Sequence, residues 1–409
     1  MTLLHVDGFE ADQDQTSTER TYGGTATYPN LFTGTITYPA GRFAGSCVRH
    51  QRVNQPEDKL QLTRFVPSQG NVTFGIAIRC NDPEQNVSFL RFHNGSSGDD
   101  SVSLGVSTYK EGSGFRVSLW RGGETIYRSP IYDYDKWLYV EGRSVLAGSG
   151  VNTWLRINGM DAYQGEVSRT PAQETWQYFT VTAMSNLNDT YVELDDLYIM
   201  NHDGDGGLFP RGGYYTSVET LFPNGPGTHS EWTPLSGTNF SQVDDGASGT
   251  VDDDASYVSG DNDLSLDLHS MSDLREMNGR IYGVEANMDG KYQDAGAVTD
   301  MLIQTGGFSP GSFSPPSATW LASYARAGDR VWTTSTNPST GGPFTASDLR
   351  DSQIGYGNPA NFDLVTEPDD GGTDVTYALD YGTAGAPTGT ALDFGTASTP
   401  TGPALDMNI

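Results

Sequence analysis

Between Asn71 and Cys80 the sequence NVTFGIAIRC puts Val72, Phe74, Ile76, Ile78 and Cys80 on one side of an extended chain and Asn71, Thr73, Gly75, Ala77 and Arg79 on the other. A strand turns successive side chains to opposite faces, so this period of two predicts a β-strand with one buried face. The pattern returns in Val102, Leu104 and Val106, in Phe115, Val117 and Leu119, and in Phe179, Val181 and Ala183. Gly122-Gly123 and Asn158-Gly159 fall where tight hairpins need positive φ. Residues 1–202 are therefore expected to form an antiparallel sandwich. The stretch NHDGDGGLFPRGGYY breaks the pattern with glycine, proline and charge, and predicts a linker at 203–213. A second β-rich, sandwich-like domain is expected at 214–368, with strand-like pieces in GRIYGVEANM and VTDMLIQTGG. TEPDDGGTD then leads into an extended arm at 369–409.

Within the arm, Ala378-Leu379-Asp380-Tyr381 returns as Ala391-Leu392-Asp393-Phe394 and as Ala404-Leu405-Asp406-Met407, a period of 13 residues. Proline and glycine between the copies exclude a continuous helix. Leu379 with Tyr381, Leu392 with Phe394, and Leu405 with Met407 share one side of each short extended piece. A strand of about four residues with one apolar side is not stable alone and needs a surface to lie on. The glycine, threonine and proline content would also suit a flexible tether, but a tether does not require Leu-aromatic pairs at fixed spacing. The arm is expected to serve assembly.

Composition agrees with an all-β chain: 50 glycines and 21 prolines spread along 409 residues imply frequent turns between short segments. With 23 basic and 52 acidic residues the formal charge is −29, which repels phosphate backbones and anionic lipid faces. Nucleic acid is not an expected partner. The opening MTLLHVDGFEADQDQTSTER has no basic region followed by an apolar stretch, and no later run is long enough to cross a bilayer, so neither secretion by the general route nor membrane insertion is expected. Cys47 and Cys80 are expected to be two small buried hydrophobes rather than a bridge.

LLHVDGFE, GRFAGSCVRH, KWLYVEGR, LRINGM and VELDDLYIMN together resemble the concanavalin A-like (LamG-type) jelly-roll sandwich of tailed-phage virion proteins. LFPNGPGTHSEWTPLSGTNFSQVDD, DDDASYV, GVEANMDGKYQDAG and NPSTGGPFTASDLRDSQIGY resemble the module that often follows it in phage and prophage structural proteins. The resemblance covers about the first 360 residues and leaves out the repeats. It implies a non-catalytic structural protein of the virion, in the tail, a fibre or the capsid surface, assembled in the host cytoplasm as a homo-oligomer with other virion proteins. A host surface glycan is a further partner it allows.

Laminarinase-like hydrolases on the same fold carry a strand reading Glu-x-Asp-x-x-Glu, whose carboxylates supply nucleophile and acid/base. Here Glu193 and Asp195 fill the first two places and Tyr198 stands in the third, so no catalytic residue is expected; Asp195 and Asp196 are expected to bind neighbouring loops. No Gly-x-Ser-x-Gly elbow, His-Glu-x-x-His, Cys-x-x-Cys or phosphate loop is present, and no cofactor is expected. Asn201, Asp203, Asp205 and Gly206 match the first half of a calcium loop, but Gly212 occupies the place of its glutamate. That segment and Asp252, Asp253 and Asp254 are read as acidic turns, with no metal. Trp120, Trp154 and Trp176 are expected on strand faces opposite the apolar ones, where a ring can stack on a sugar. The alternatives to a structural protein are thus a glycan-active hydrolase or a carbohydrate-binding adhesin.

Overall fold

In the computed structural model the alternating runs become two facing antiparallel sheets. It describes residues 2–9, 31–43, 45–53, 58–84, 87–94, 102–121, 124–147, 150–168, 175–187, 190–201, 216–243, 257–259, 266–274, 281–287, 300–304, 311–313, 331–334, 336–337, 340–350 and 352–357. The chain divides into compact units Met1–Asn358 and Pro359–Ile409, and every described residue lies in the first. The linker at 203–213 and the arm, with Leu379, Tyr381, Leu392, Phe394, Leu405 and Met407, lie outside the described residues.

The sandwich strands are β1 (Thr2–Asp7), β2 (Leu31–Phe32), β3 (Thr35–Thr37), β4 (Val48–Gln51), β5 (Leu60–Gln69), β6 (Val72–Cys80), β7 (Ser88–His93) and β8 (Val102–Glu111). They continue as β9 (Gly114–Arg121), β10 (Glu124–Arg128), β11 (Tyr132–Asp133), β12 (Leu138–Ala147), β13 (Gly150–Ile157), β14 (Met160–Ser168), β15 (Trp176–Ala183) and β16 (Tyr191–Asn201). The first sheet runs β14-β13-β12-β6-β16-β4-β3 with β1 also on β16, and the second runs β10-β9-β8-β7-β15-β5-β2 with β11 on β9. Between them Phe74, Ile76, Ile78, Val140 and Leu155 meet Leu62, Phe92, Val106, Val117 and Phe179, all fully buried. Each such side chain contributes about 1.5–3 kcal/mol. The β13–β14 hairpin turns on Asn158 and Gly159, both at positive φ. Asn158 also receives the Tyr139 N–H on its Oδ1 at 2.8 Å, which ties the turn to β12.

β16 changes partner along one edge. Residues Tyr191 to Leu194 pair with β4 and Leu197 to Asn201 pair with β1, so Asp195 and Asp196 fall in the gap between two collinear strands. A bulge accommodates the switch, with Asp196 at φ 51°.

The expected half-buried strand at Val72–Cys80 is buried on both faces over most of its length. On its outer side Gly75 and Ala77 lie under Tyr139 and Tyr198, and Tyr282 of the following block packs on the same cluster. That block contains β17 (Pro223–Ser230), β18 (Thr233–Pro234), β19 (Val258–Ser259), β20 (Leu266–Met271), β21 (Val284–Asn287), β22 (Asp300–Gln304), β23 (Gly311–Phe313), β24 (Val331–Thr334), the short helix α1 (Ala346–Arg350) and β25 (Gln353–Gly357). A five-stranded antiparallel sheet, β17-β20-β25-β22-β23, is accompanied by the ribbons β18-β19 and β21-β24. The last ribbon lies against β1, where Glu285 enters a buried site between the sheets beside His5 and Arg64. The described fold is thus nearly all-β and built on a jelly-roll sandwich.

Candidate functional site

Every carboxylate of the strand that would carry hydrolytic chemistry is held by the protein itself. Glu193 points to the outer face of the first sheet and is 0% exposed. Arg49 Nε donates to its Oε1 at 2.7 Å, and Arg79 Nε donates to Oε2. The two guanidinium groups stack in turn on Tyr191 and Trp137, 4.3 and 4.8 Å from the ring centres. The carboxylate is thus held between two cations, each of which is backed by a ring.

Asp195 and Asp196 fill the partner-switch gap on β16. Asp195 Oδ2 accepts the Arg42 N–H at 2.7 Å, and Asp196 Oδ1 accepts the Val218 N–H at 2.7 Å. Arg42 reaches Asp196 Oδ2 at 3.0 Å and the Thr216 carbonyl at 3.2 Å, with its guanidinium over the Phe43 and Tyr139 rings. Where no strand completes the edge ladder, side-chain acceptors satisfy backbone donors that would otherwise be orphaned. These contacts match the loop-binding role expected of both residues.

Tyr198 on β16, which stands at the third place of that pattern, meets a carboxylate of a neighbouring strand. Glu141 on β12 lies across Gly75 from Tyr198, whose hydroxyl donates to Glu141 Oε1 at 3.1 Å. Burial pushes the Glu141 carboxyl up to about 7, despite opposing help from Tyr198, Arg156 and Arg42. Sequence reasoning missed this residue. The available signal was a charged residue inside the apolar run Leu138-Tyr139-Val140-Glu141. It too is fully buried, so it organises the sheet surface under Tyr198 and does not face solvent.

The three tryptophans are not brought together. Trp176 is 2% exposed and sits in the core, edge-on to Phe92 with ring centres 4.9 Å apart, which corrects its expected place on the polar face. A register shift between Trp176 and Tyr178 moves Trp176 to the side of Phe179 and Val181. Trp154 is on the outer face of the first sheet, and the Arg143 guanidinium lies over it at 4.7 Å. Trp120 is on the outer face of the second sheet, half-buried across Gly105. Among the described residues no ring or cation packs on its indole.

Cys47 and Cys80 are buried free thiols, and burial pushes both up, away from thiolate reactivity. Burial pushes His50 and His269 down to about 4 and His93 to about 3, so these imidazoles are neutral and structural. Among the described residues no group of three His, Cys, Asp or Glu side chains is placed to hold a metal. The aspartate loops at Asp203–Asp205 and Asp252–Asp254 lie outside the described residues. No described helix is long and apolar enough to cross a membrane.

No protein-family model and no curated protein matches the chain. Solved structures similar to it include domain 4 of AbnA, a GH43 extracellular arabinanase from Geobacillus stearothermophilus, at 17% identity over 48% of this chain and 91% of that one, TM-score 0.31. The cellulose induced protein Cip1 aligns at 15% identity over 48% and 97% of the two chains, TM-score 0.32. The catalytic domain of the family 131 glycoside hydrolase from Coprinopsis cinerea aligns at 11% identity over 51% and 100%, TM-score 0.31. Each overlap covers about half of this chain, and the activities in those descriptions belong to those proteins.

Proposed function

We propose that the chain is a non-catalytic structural protein of a tailed-phage particle, assembled with other virion proteins and with copies of itself. The observation that carries the non-catalytic part is the enclosure of Glu193 by Arg49 and Arg79, together with the use of Asp195 and Asp196 as acceptors for backbone donors. Carboxylate oxygens already taken by guanidinium and backbone N–H donors support a structural role for these acids. The particle part rests on the sequence resemblance of the two blocks to virion modules. Mass measurement on the purified chain and on particles tests it: an oligomer present in the particle is expected, and a stable monomer absent from it ends the reading. Sugar release from envelope polysaccharide that disappears in Glu193→Gln would overturn the non-catalytic part.

A second reading, recognition of a glycan without turnover, is favoured by Trp120, whose indole stays partly open on the outer face of the second sheet. The two readings are compatible, since a virion surface protein can also carry an adhesive face.

A further inference from the structure

We infer that the outer face of the second sheet around Trp120 is a binding platform for a pyranose ring of a glycan. This rests on the glycan-recognition reading and gives it a location. Trp120 lies in one cross-strand row with Thr125, Gly105 and Arg91, in the order Thr125, Trp120, Gly105, Arg91 from the edge strand inward. Gly105 makes the platform possible. A Cβ there would meet the indole Cε2 and Nε1 at 2.5 Å, so any other residue would push the ring off the sheet. The indole is only half-buried, and among the described residues neither an arginine nor another ring covers it. Trp154 and Trp137 differ, each under a guanidinium.

The surroundings of the ring are polar. Ser118 precedes Trp120 by two residues, faces the same side of β9, and is 4% exposed with no hydrogen-bond partner for its hydroxyl. That hydroxyl is shut off from solvent, so Ser118 forms the floor beside the indole and does not itself meet a ligand. Further polar groups border the platform: Thr125 is exposed at the sheet edge, Arg91 stands across Gly105, and exposed Arg128, paired in register with Ser118, lies over Tyr109 at 4.3 Å. An apolar ring face ringed by donors and hydroxyls suits the apolar face and equatorial hydroxyls of a pyranose. The two arginines leave the charge of the sugar open between neutral and uronic types.

The test is affinity electrophoresis of the full chain through gels containing laminarin, xylan, dextran or alginate, with tryptophan fluorescence as a second readout. Retardation by at least one of these is expected, weakened at least tenfold in Trp120→Ala and in Gly105→Val, and unchanged in Trp154→Ala. Alginate alone, or the neutral polymers alone, identifies the sugar type. Trp120→Phe provides a milder variant if the other two do not fold, and its smaller ring should weaken retardation severalfold. Binding that survives Trp120→Ala, or that falls equally in Trp154→Ala, overturns the platform while leaving glycan recognition in place. A wild-type chain retarded by none of the four overturns both.

Discussion

Glu285 accepts the backbone N–H of Val6 at 2.9 Å across a sequence separation of 279 residues. The same carboxylate lies 3.1 Å from His5 Nδ1 and 3.3 Å from Arg64 Nη1, and all three side chains are buried. One residue of the second block therefore completes the polar interior of the sandwich where β1 meets β5. Removing one partner of such a buried group leaves the others uncompensated, which costs about 3–5 kcal/mol. Glu285→Ala should lower the unfolding free energy by that order in urea titration. Loss below about 1 kcal/mol would show that the two blocks are held together by other contacts.

Glu285 also gives a pH signature. Burial acts to raise its carboxyl, but His5, Arg64 and the Val6 N–H together hold it below its usual value of 4.5. A group whose folded value is depressed contributes stability above the unfolded value and loses it as pH falls through the folded one. Thermal unfolding should therefore show a wild-type advantage over Glu285→Gln at pH 6 that shrinks below pH ~4. An advantage that is constant over this range would mean that Glu285 does not change its proton affinity on folding.

Glu141 should behave in the opposite sense. Its folded value is raised from 4.5 to about 7, so the unfolded chain loses its proton first as pH rises. The contribution is complete below the unfolded value, declines between there and about 7, and amounts to about 3 kcal/mol by linkage, as an order of magnitude. Glu141→Gln keeps an acceptor for the Tyr198 hydroxyl and removes the titration. Its stability relative to wild type should rise between pH 4 and pH 8, read from denaturant midpoints at the two values. No change would place the Glu141 carboxyl in contact with water.

How legible these features are in the sequence depends on how far their causes lie along the chain. The core face of Val72–Cys80 and the Asn158-Gly159 turn follow from local alternation and local φ, and both are present as expected. Burial of the opposite face, at Gly75 and Ala77, is set by Tyr139 and Tyr198 with Tyr282 packed beside them, which no period of two contains. The engagement of Asp195 and Asp196 with neighbouring loops was readable because Tyr198 stands where the hydrolase pattern has its third acid. Their location at a switch between β4 and β1 was not, since it depends on which segments share an edge. Trp176 shows the same limit in reverse: one extra residue at a bulge reverses the face that alternation assigns.

That reversal makes Trp176 a control for the glycan platform. Its ring fills the core beside Phe92, so Trp176→Ala should create a cavity and cost about 3–5 kcal/mol of stability. Trp120→Ala, on a sheet surface, should cost far less. If calorimetry found the two variants equally destabilised, Trp120 would be acting as a packing residue, and its openness would have no functional meaning.

The arm is the segment whose pattern asks most plainly for a partner. If Leu379, Tyr381, Leu392, Phe394, Leu405 and Met407 insert into a neighbouring subunit or virion protein, each large side chain adds about 1.5–3 kcal/mol of burial to the assembly, which a plain tether would not provide. Residues 1–358 form a compact unit without it. Deleting Thr373 to Ile409 should therefore leave the thermal unfolding of the remaining chain nearly unchanged while abolishing incorporation into particles. Leu392→Ser with Phe394→Ser should weaken incorporation without shifting the melting temperature, because only the bound state loses contacts. Equal occupancy of truncated and full-length chains in particles, measured by mass spectrometry of the assembled material, would reduce the arm to a tether and remove the assembly role from these six residues.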